Sequence, residues 1–159
     1  MDCNLRKNIE ISGYASTFNH IDKQNDVIVK GAFQKCINEF TSVPLLFQHN
    51  SSQILGIVKK ISEDSIGLFI EATIISTSLG INTASLISNK ALNHFSIGFQ
   101  IVACDSYDVS QFNNKFNVRN KCNLHPGAKI RVIKEIRLIE ISAVTFPANV
   151  QAKIYTIGG

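Results

Sequence analysis

Three polar side chains stand in apolar surroundings and together make up the residue types of a nucleophilic hydrolase. Ser96 lies in the strand-like run HFSIGFQI, His49 follows the apolar VPLLFQ, and Glu140 sits in RLIEISAVTFPAN between Ile139 and Ile141. A serine hydroxyl becomes a nucleophile when a nearby base takes its proton and a carbonyl carbon can approach. An imidazole, titrating near pH ~6.5 when unperturbed, is suited to be that base. A carboxylate on the far ring nitrogen would hold the tautomer and favour the imidazolium. Each residue also has an ordinary reading. His49 could bond a carbonyl at a strand end, and Ser96 could bond its own sheet. Glu140, costly to bury alone, could pair with Arg131, Lys134 or Arg137. The three types fit; geometry decides whether they meet.

The surrounding elements read mostly as strands. Residues 9–18 alternate, with Ile9, Ile11, Gly13 and Ala15 on one face. NHIDKQND is a polar loop, and Phe33, Cys36, Ile37 and Phe40 then fall at helical spacing. Two strands, 54–61 and 68–75, flank the hairpin loop SEDSIG, where Gly67 can take positive φ. Residues 82–93 fit a second helix capped by Asn82 or Thr83, with Ala84, Ile87, Ala91 and Leu92 inward. In SIGFQIVA, Ser96, Gly98 and Gln100 share a face, so Gly98 would let a substrate backbone approach beside the serine. The serine is not in a GxSxG elbow, which argues against an α/β-hydrolase. The asparagine-rich segment 105–127 loses periodicity and reads as a flap or flexible insert. Residues 129–145 form a long apolar run in which two strands would meet at a bend, and VQAKIYTI closes the chain as a strand or short helix. The expected fold is β-rich mixed α/β: one domain over 1–159, a barrel-like core with flanking helices.

Composition narrows the function classes. A net charge of +4 without a basic block points away from nucleic acid. No apolar run reaches membrane-span length, and the polar start MDCNLRKN does not read as a signal peptide. The four cysteines include no CxxC pair, which suits reduced thiols in a cytoplasm. Cys104, Cys122 and His125 are a weak zinc candidate lacking a fourth ligand; a zinc-dependent hydrolase is therefore a distant reading.

Five blocks in order carry a resemblance. GYASTFNHIDKQNDVIVKGAF, VPLLFQHN, ILGIVKKISEDSIGLFIEATI, HFSIGFQI and LIEISAVTFPANVQA resemble the prohead (capsid maturation) serine proteases of tailed bacteriophages, from about Ile11 to Ala152. That resemblance implies a fold related to herpesvirus assembly proteases. It implies a serine endopeptidase with His49 as general base, Ser96 as nucleophile and Glu140 as the third member, where the herpesvirus relatives use a second histidine. His20, His94 and His125 are the spare candidates for that place. It implies no cofactor and no metal, the capsid protein's scaffold segment as substrate together with self-cleavage, and a homo-oligomer. Its setting would be the assembling prohead in the host cytoplasm, with neither nucleic acid nor membrane as partner. Segment 129–131 is an oxyanion-site candidate by analogy. A module that keeps the fold without catalysis, for scaffold binding or as an inactive prophage remnant, is the alternative.

Overall fold

A computed structural model describes residues 8–118, 124–125 and 127–158. Among these residues eight strands form one curled sheet: β1 (Ile9–Thr17), β2 (Asp26–Ile28), β3 (Val43–Phe47), β4 (Asn50–Glu63), β5 (Gly67–Ile74), β6 (His94–Asp108), β7 (Lys129–Val144) and β8 (Lys153–Gly158). Three helices accompany them: α1 (Gln34–Asn38), α2 (Ser78–Ser88) and α3 (Val109–Lys115). The strand order is β2-β7-β3-β4-β5-β1-β8, with β6 paired to β7 beside that path.

The apolar run at 129–144 is one unbroken 16-residue strand, not two strands at a bend. Each part of it has its own partner. β2 lies parallel to Arg131–Ile133, β3 lies parallel to Ile141–Ala143, and β6 runs antiparallel along the opposite edge from Lys129 to Val144. The first part of β7 keeps charged residues such as Lys129, Arg131, Lys134 and Arg137 exposed, whereas Glu140–Val144 is buried without a break.

The main core gathers Phe33, Leu45, Leu55, Leu68, Ile70, Phe95 and Ile141 between the curled sheet and its helices. Phe33 is fully buried at the entry to α1, while Cys36, Ile37 and Phe40 are partly covered against the same core. A smaller cluster, with Ile21, Val27, Ile130 and Val132, is closed by Phe112 of α3. Burying a phenylalanine of this kind contributes about 1.5–3 kcal/mol, which outweighs the poor helix propensity of VSQFNNK.

Several local expectations change. Helix α2 starts four residues earlier than the 82–93 pattern suggests, because the Thr77 hydroxyl caps it by accepting the Gly80 N–H at 3.1 Å. Ala84, Ile87 and Leu92 are buried as expected, but Ala91 lies beyond the helix and is exposed. Gly67 does not use positive φ, which among the described glycines belongs to Gly31 and Gly127. Its need is space: a Cβ there would lie 2.0 Å from the Ser16 carbonyl oxygen. The Asp64 carboxylate makes the hairpin turn instead, accepting the Ile66 and Gly67 amides at 2.7 and 3.1 Å. In the 105–127 segment, residues 105–108 continue β6 and 109–115 form α3, begun by an Asp108–Gln111 capping box. Residues 119–123 and 126 of that segment lie outside the described residues. The chain closes in a strand, β8.

One ion pair fastens the β2–β7 register. Asp26 is 1% exposed and receives Arg131 through two bonds, Nε at 2.6 Å and Nη2 at 2.8 Å. Replacing Arg131 with alanine strands that carboxylate in the interior. We expect a loss of about 2–4 kcal/mol in urea-unfolding stability, below the typical ~3–5 for fully buried pairs because Arg131 is partly solvated. Lysine at 131 should recover part of the loss, since it keeps the charge and loses the bidentate fork.

Candidate active site

Strand β7 brings the three candidate residues together. In the β6–β7 ladder Ser96 lies opposite Ser142 and Gly98 opposite Glu140, so all four share one face. On the other edge of β7, β3 ends at Phe47 and the chain reverses through Gln48 and His49 into β4. Both turn residues have positive φ, 55° and 59°. That is the pattern of a two-residue type I′ hairpin, whose twist suits the flanking strands. His49 is therefore a turn residue, not the last residue of the strand. The turn is fastened to β7 at several points. The Gln48 amide N–H donates to the Ala143 carbonyl at 3.0 Å, and the Gln48 side chain bonds Thr145 through Nε2→Oγ1 at 2.7 Å and N→Oε1 at 3.2 Å.

The strained turn aims the imidazole at β7. His49 Nδ1 lies 2.6 Å from Glu140 Oε1. With Nδ1–H donating to the carboxylate, Nε2 carries the lone pair. The second carboxylate oxygen accepts the Ser142 hydroxyl at 2.7 Å, and the same hydroxyl oxygen accepts the His49 backbone N–H at 3.1 Å. Glu140 is 8% exposed and Ser142 is 0% exposed. Arg131 and Lys134, possible partners of Glu140, are engaged by Asp26 and Asp105 instead.

Ser96, 9% exposed, and His49 line one cavity of about 520 Å³, with Ser16, Thr17 and His20 on the β1 side and 146–149 on the β7–β8 side. Ser96 Oγ makes no hydrogen bond to His49 among the described contacts. Such bonds are commonly long before substrate arrives. Among the spare histidines, His20 is buried on the same cavity, whereas His94 Nδ1 bonds the Ala152 carbonyl at 2.8 Å and ties β6 to the closing loop. His125 is exposed and does not line the cavity. Neither Lys129 nor Arg131 lines it; Arg131 adjoins it through Asp26, which does. Cys104 is exposed and Cys122 lies outside the described residues; no group of three or more metal-ligating side chains gathers among the described ones.

Gly98 has a different purpose from the one its sequence suggests. A Cβ on Gly98 would lie 2.3 Å from Glu140 Oε1, so the missing side chain makes room for the carboxylate, not for substrate. In Gly98→Ala the carboxylate must shift away from His49. We expect about a 10²-fold fall in the reaction rate at Ser96, given the sensitivity of such sites to ~1 Å displacements, while urea unfolding moves by only ~1–3 kcal/mol. Ser142 was not among the sequence candidates. Its signal was the spacing: Glu140 and Ser142 are two polar residues on the same face of the apolar end of β7, 138–144.

These elements form the fold of the herpesvirus proteases. Varicella-zoster virus protease superposes with a TM-score of 0.54 at 10% identity, covering 95% of this chain and 64% of that one. KSHV protease in complex with a hexapeptide phosphonate inhibitor gives 0.53 at 9%, covering 96% and 66%. The chain belongs to the caudovirus prohead serine protease family, whose pattern it matches over residues 2–158. The prohead protease of Enterobacteria phage HK97 is 30% identical over 145 residues, covering 89% of this chain and 57% of that protein. That of Escherichia phage T5 is 27% identical over 144 residues, covering 89% and 59%. The chain thus spans somewhat under three-fifths of the curated relatives it matches.

Proposed function

We propose that this chain is a serine endopeptidase of capsid maturation, cleaving scaffold segments of a phage capsid protein, and itself, inside the assembling prohead in the host cytoplasm. The observation that carries the reading is the 2.6 Å His49 Nδ1–Glu140 Oε1 contact beside a cavity that also holds Ser96. Ser96 Oγ attacks the peptide carbonyl carbon while His49 Nε2 takes its proton. Glu140 keeps Nδ1 protonated and stabilises the imidazolium as it forms. When the tetrahedral intermediate collapses, the C–N bond breaks and the imidazolium gives its proton to the leaving amine. The acyl-enzyme is then attacked by water, deprotonated by the same nitrogen, and Ser96 is released.

The family membership supports the peptidase class, and the relatives' names support the prohead as the setting. No helix among the described residues is long and apolar enough to cross a membrane. The homo-oligomer remains part of the proposal.

A fluorophosphonate probe tests the chemistry without knowledge of the cleavage sequence. The expected result is a single adduct on the peptide containing Ser96, absent in Ser96→Ala. A folded, monodisperse sample that takes no label would favour the alternative, a scaffold-binding module that keeps the protease fold without its reaction.

A further inference from the structure

Phe146 is 85% exposed, more than any other large apolar side chain among the described residues, and it lines the cavity that holds Ser96. Its exposure does not come from a loose loop. Thr145, its neighbour, carries the two hydrogen bonds to the Gln48 side chain. Three residues on, the Asn149 side chain is stapled to β1, donating to the Thr17 carbonyl at 3.1 Å, while its Oδ1 accepts the Gln151 amide at 3.0 Å. The Ala148 carbonyl also accepts the Lys23 amide at 3.2 Å. The ring is thus held out over the cavity from two fixed ends.

The wall it continues is apolar: Ile97, Phe99 and Pro147 line the same space. The carboxylates there already have partners. Asp26 is held by Arg131, and Asp22 Oδ1 accepts the Gln24 and Asp26 amides at 2.7 and 3.0 Å. Burial raises the Asp22 pKa, which further weakens its appeal to a cation at low pH. An incoming side chain therefore meets uncovered apolar surface, carboxylates that are already engaged, and the exposed cation Lys23.

Resting on the peptidase reading above, we infer that Phe146 is a specificity-determining residue, packing an apolar side chain of the substrate peptide next to the scissile bond. An exposed aromatic gains most from an apolar partner, and a pocket whose carboxylates are engaged and whose exposed charge is Lys23 rejects a basic side chain by leaving it desolvated and unpaired.

The test is a cleavage profile. A complex peptide mixture is digested with the wild-type chain, Phe146→Ala and Phe146→Lys, and new termini are read by mass spectrometry. The fluorophosphonate adduct on Ser96 is followed in parallel. The wild type should enrich an apolar residue at one position beside the cut. Phe146→Ala should still take the small probe yet cut the enriched peptides about 10-fold more slowly or worse relative to the others. Phe146→Lys should move the preference at that position towards acidic residues. If the profile is the same in all three proteins while Ser96 is labelled, the inference is wrong and the peptidase reading stands. An unchanged profile with a change in oligomeric state on gel filtration would make the ring a contact between copies and would also overturn it. If the wild type neither labels nor cuts, the peptidase reading fails and takes this inference with it.

Discussion

Exchanging His49 for asparagine should leave the protein folded and slow acylation of Ser96 by roughly 10⁴–10⁶-fold, the range seen when a base of this kind is removed. Asparagine is the informative replacement because of the backbone. His49 occupies the left-handed region at φ 59°, where alanine is strained and asparagine is among the tolerated residues. The I′ turn should therefore survive, together with the 3.1 Å bond from the residue-49 amide to Ser142. Asparagine has no nitrogen that accepts a proton near neutrality. The measurement is the second-order rate of fluorophosphonate labelling, with a thermal melt as control. A rate within tenfold of wild type in a protein of unchanged melting temperature would remove His49 from the reaction.

Glu140→Gln should cost about 10³–10⁴-fold, because the ring would then be held in the wrong tautomer. The reason lies in Ser142. Its buried hydroxyl donates to Glu140 Oε2 at 2.7 Å while accepting the His49 amide. A glutamine has one acceptor oxygen and one NH₂ donor. If the oxygen satisfies Ser142, the NH₂ faces Nδ1, which must accept and so sends its proton to Nε2. The nitrogen aimed at the reaction is then no longer a base. The reverse orientation strands the Ser142 proton in the interior, a penalty of about 1–3 kcal/mol. Ser142→Ala removes that bias, so the double variant Glu140→Gln, Ser142→Ala should be faster than Glu140→Gln alone. Equal rates for the two would show that Ser142 does not set the tautomer.

What could be read in advance follows from which interactions are local. The apolar flanks of Ser96 and Glu140 and the run before His49 are near neighbours in the chain, so the site's residue types were legible. Their side-chain partners were not, because these depend on register. Gly98 faces Glu140 only when β6 and β7 pair along their whole length. Two strands over 129–145 would not pair this way, and Gly98 in isolation suits substrate approach equally well. The turn at Gln48 and His49 carries none of the Asn-Gly or Asp-Gly chemistry that marks type I′ in sequence. Long-range bonds to Ala143 and Thr145 hold it instead. Helix α2 starts ahead of the 82–93 pattern because Thr77, not Asn82 or Thr83, caps it, with Gly80 in its first turn. That glycine is needed there, since a Cβ would lie 2.0 Å from the Ile75 carbonyl oxygen. The start of α3 did have a local signal, Asp108 with Gln111 three residues on, masked by the asparagines around it.

Every group of the site leans on β7: Ser96 through β6, His49 through β3 and its turn, and Glu140 as a member of the strand itself. That strand follows both β3 and β6 in the chain, so it is synthesised after the histidine and the serine. A nascent polypeptide already carrying the serine and the histidine has no scaffold on which to align them until residues 129–144 emerge and pair over long sequence distances, a slow kind of closure. Order of synthesis alone thus keeps the three side chains from being aligned until β7 has been made.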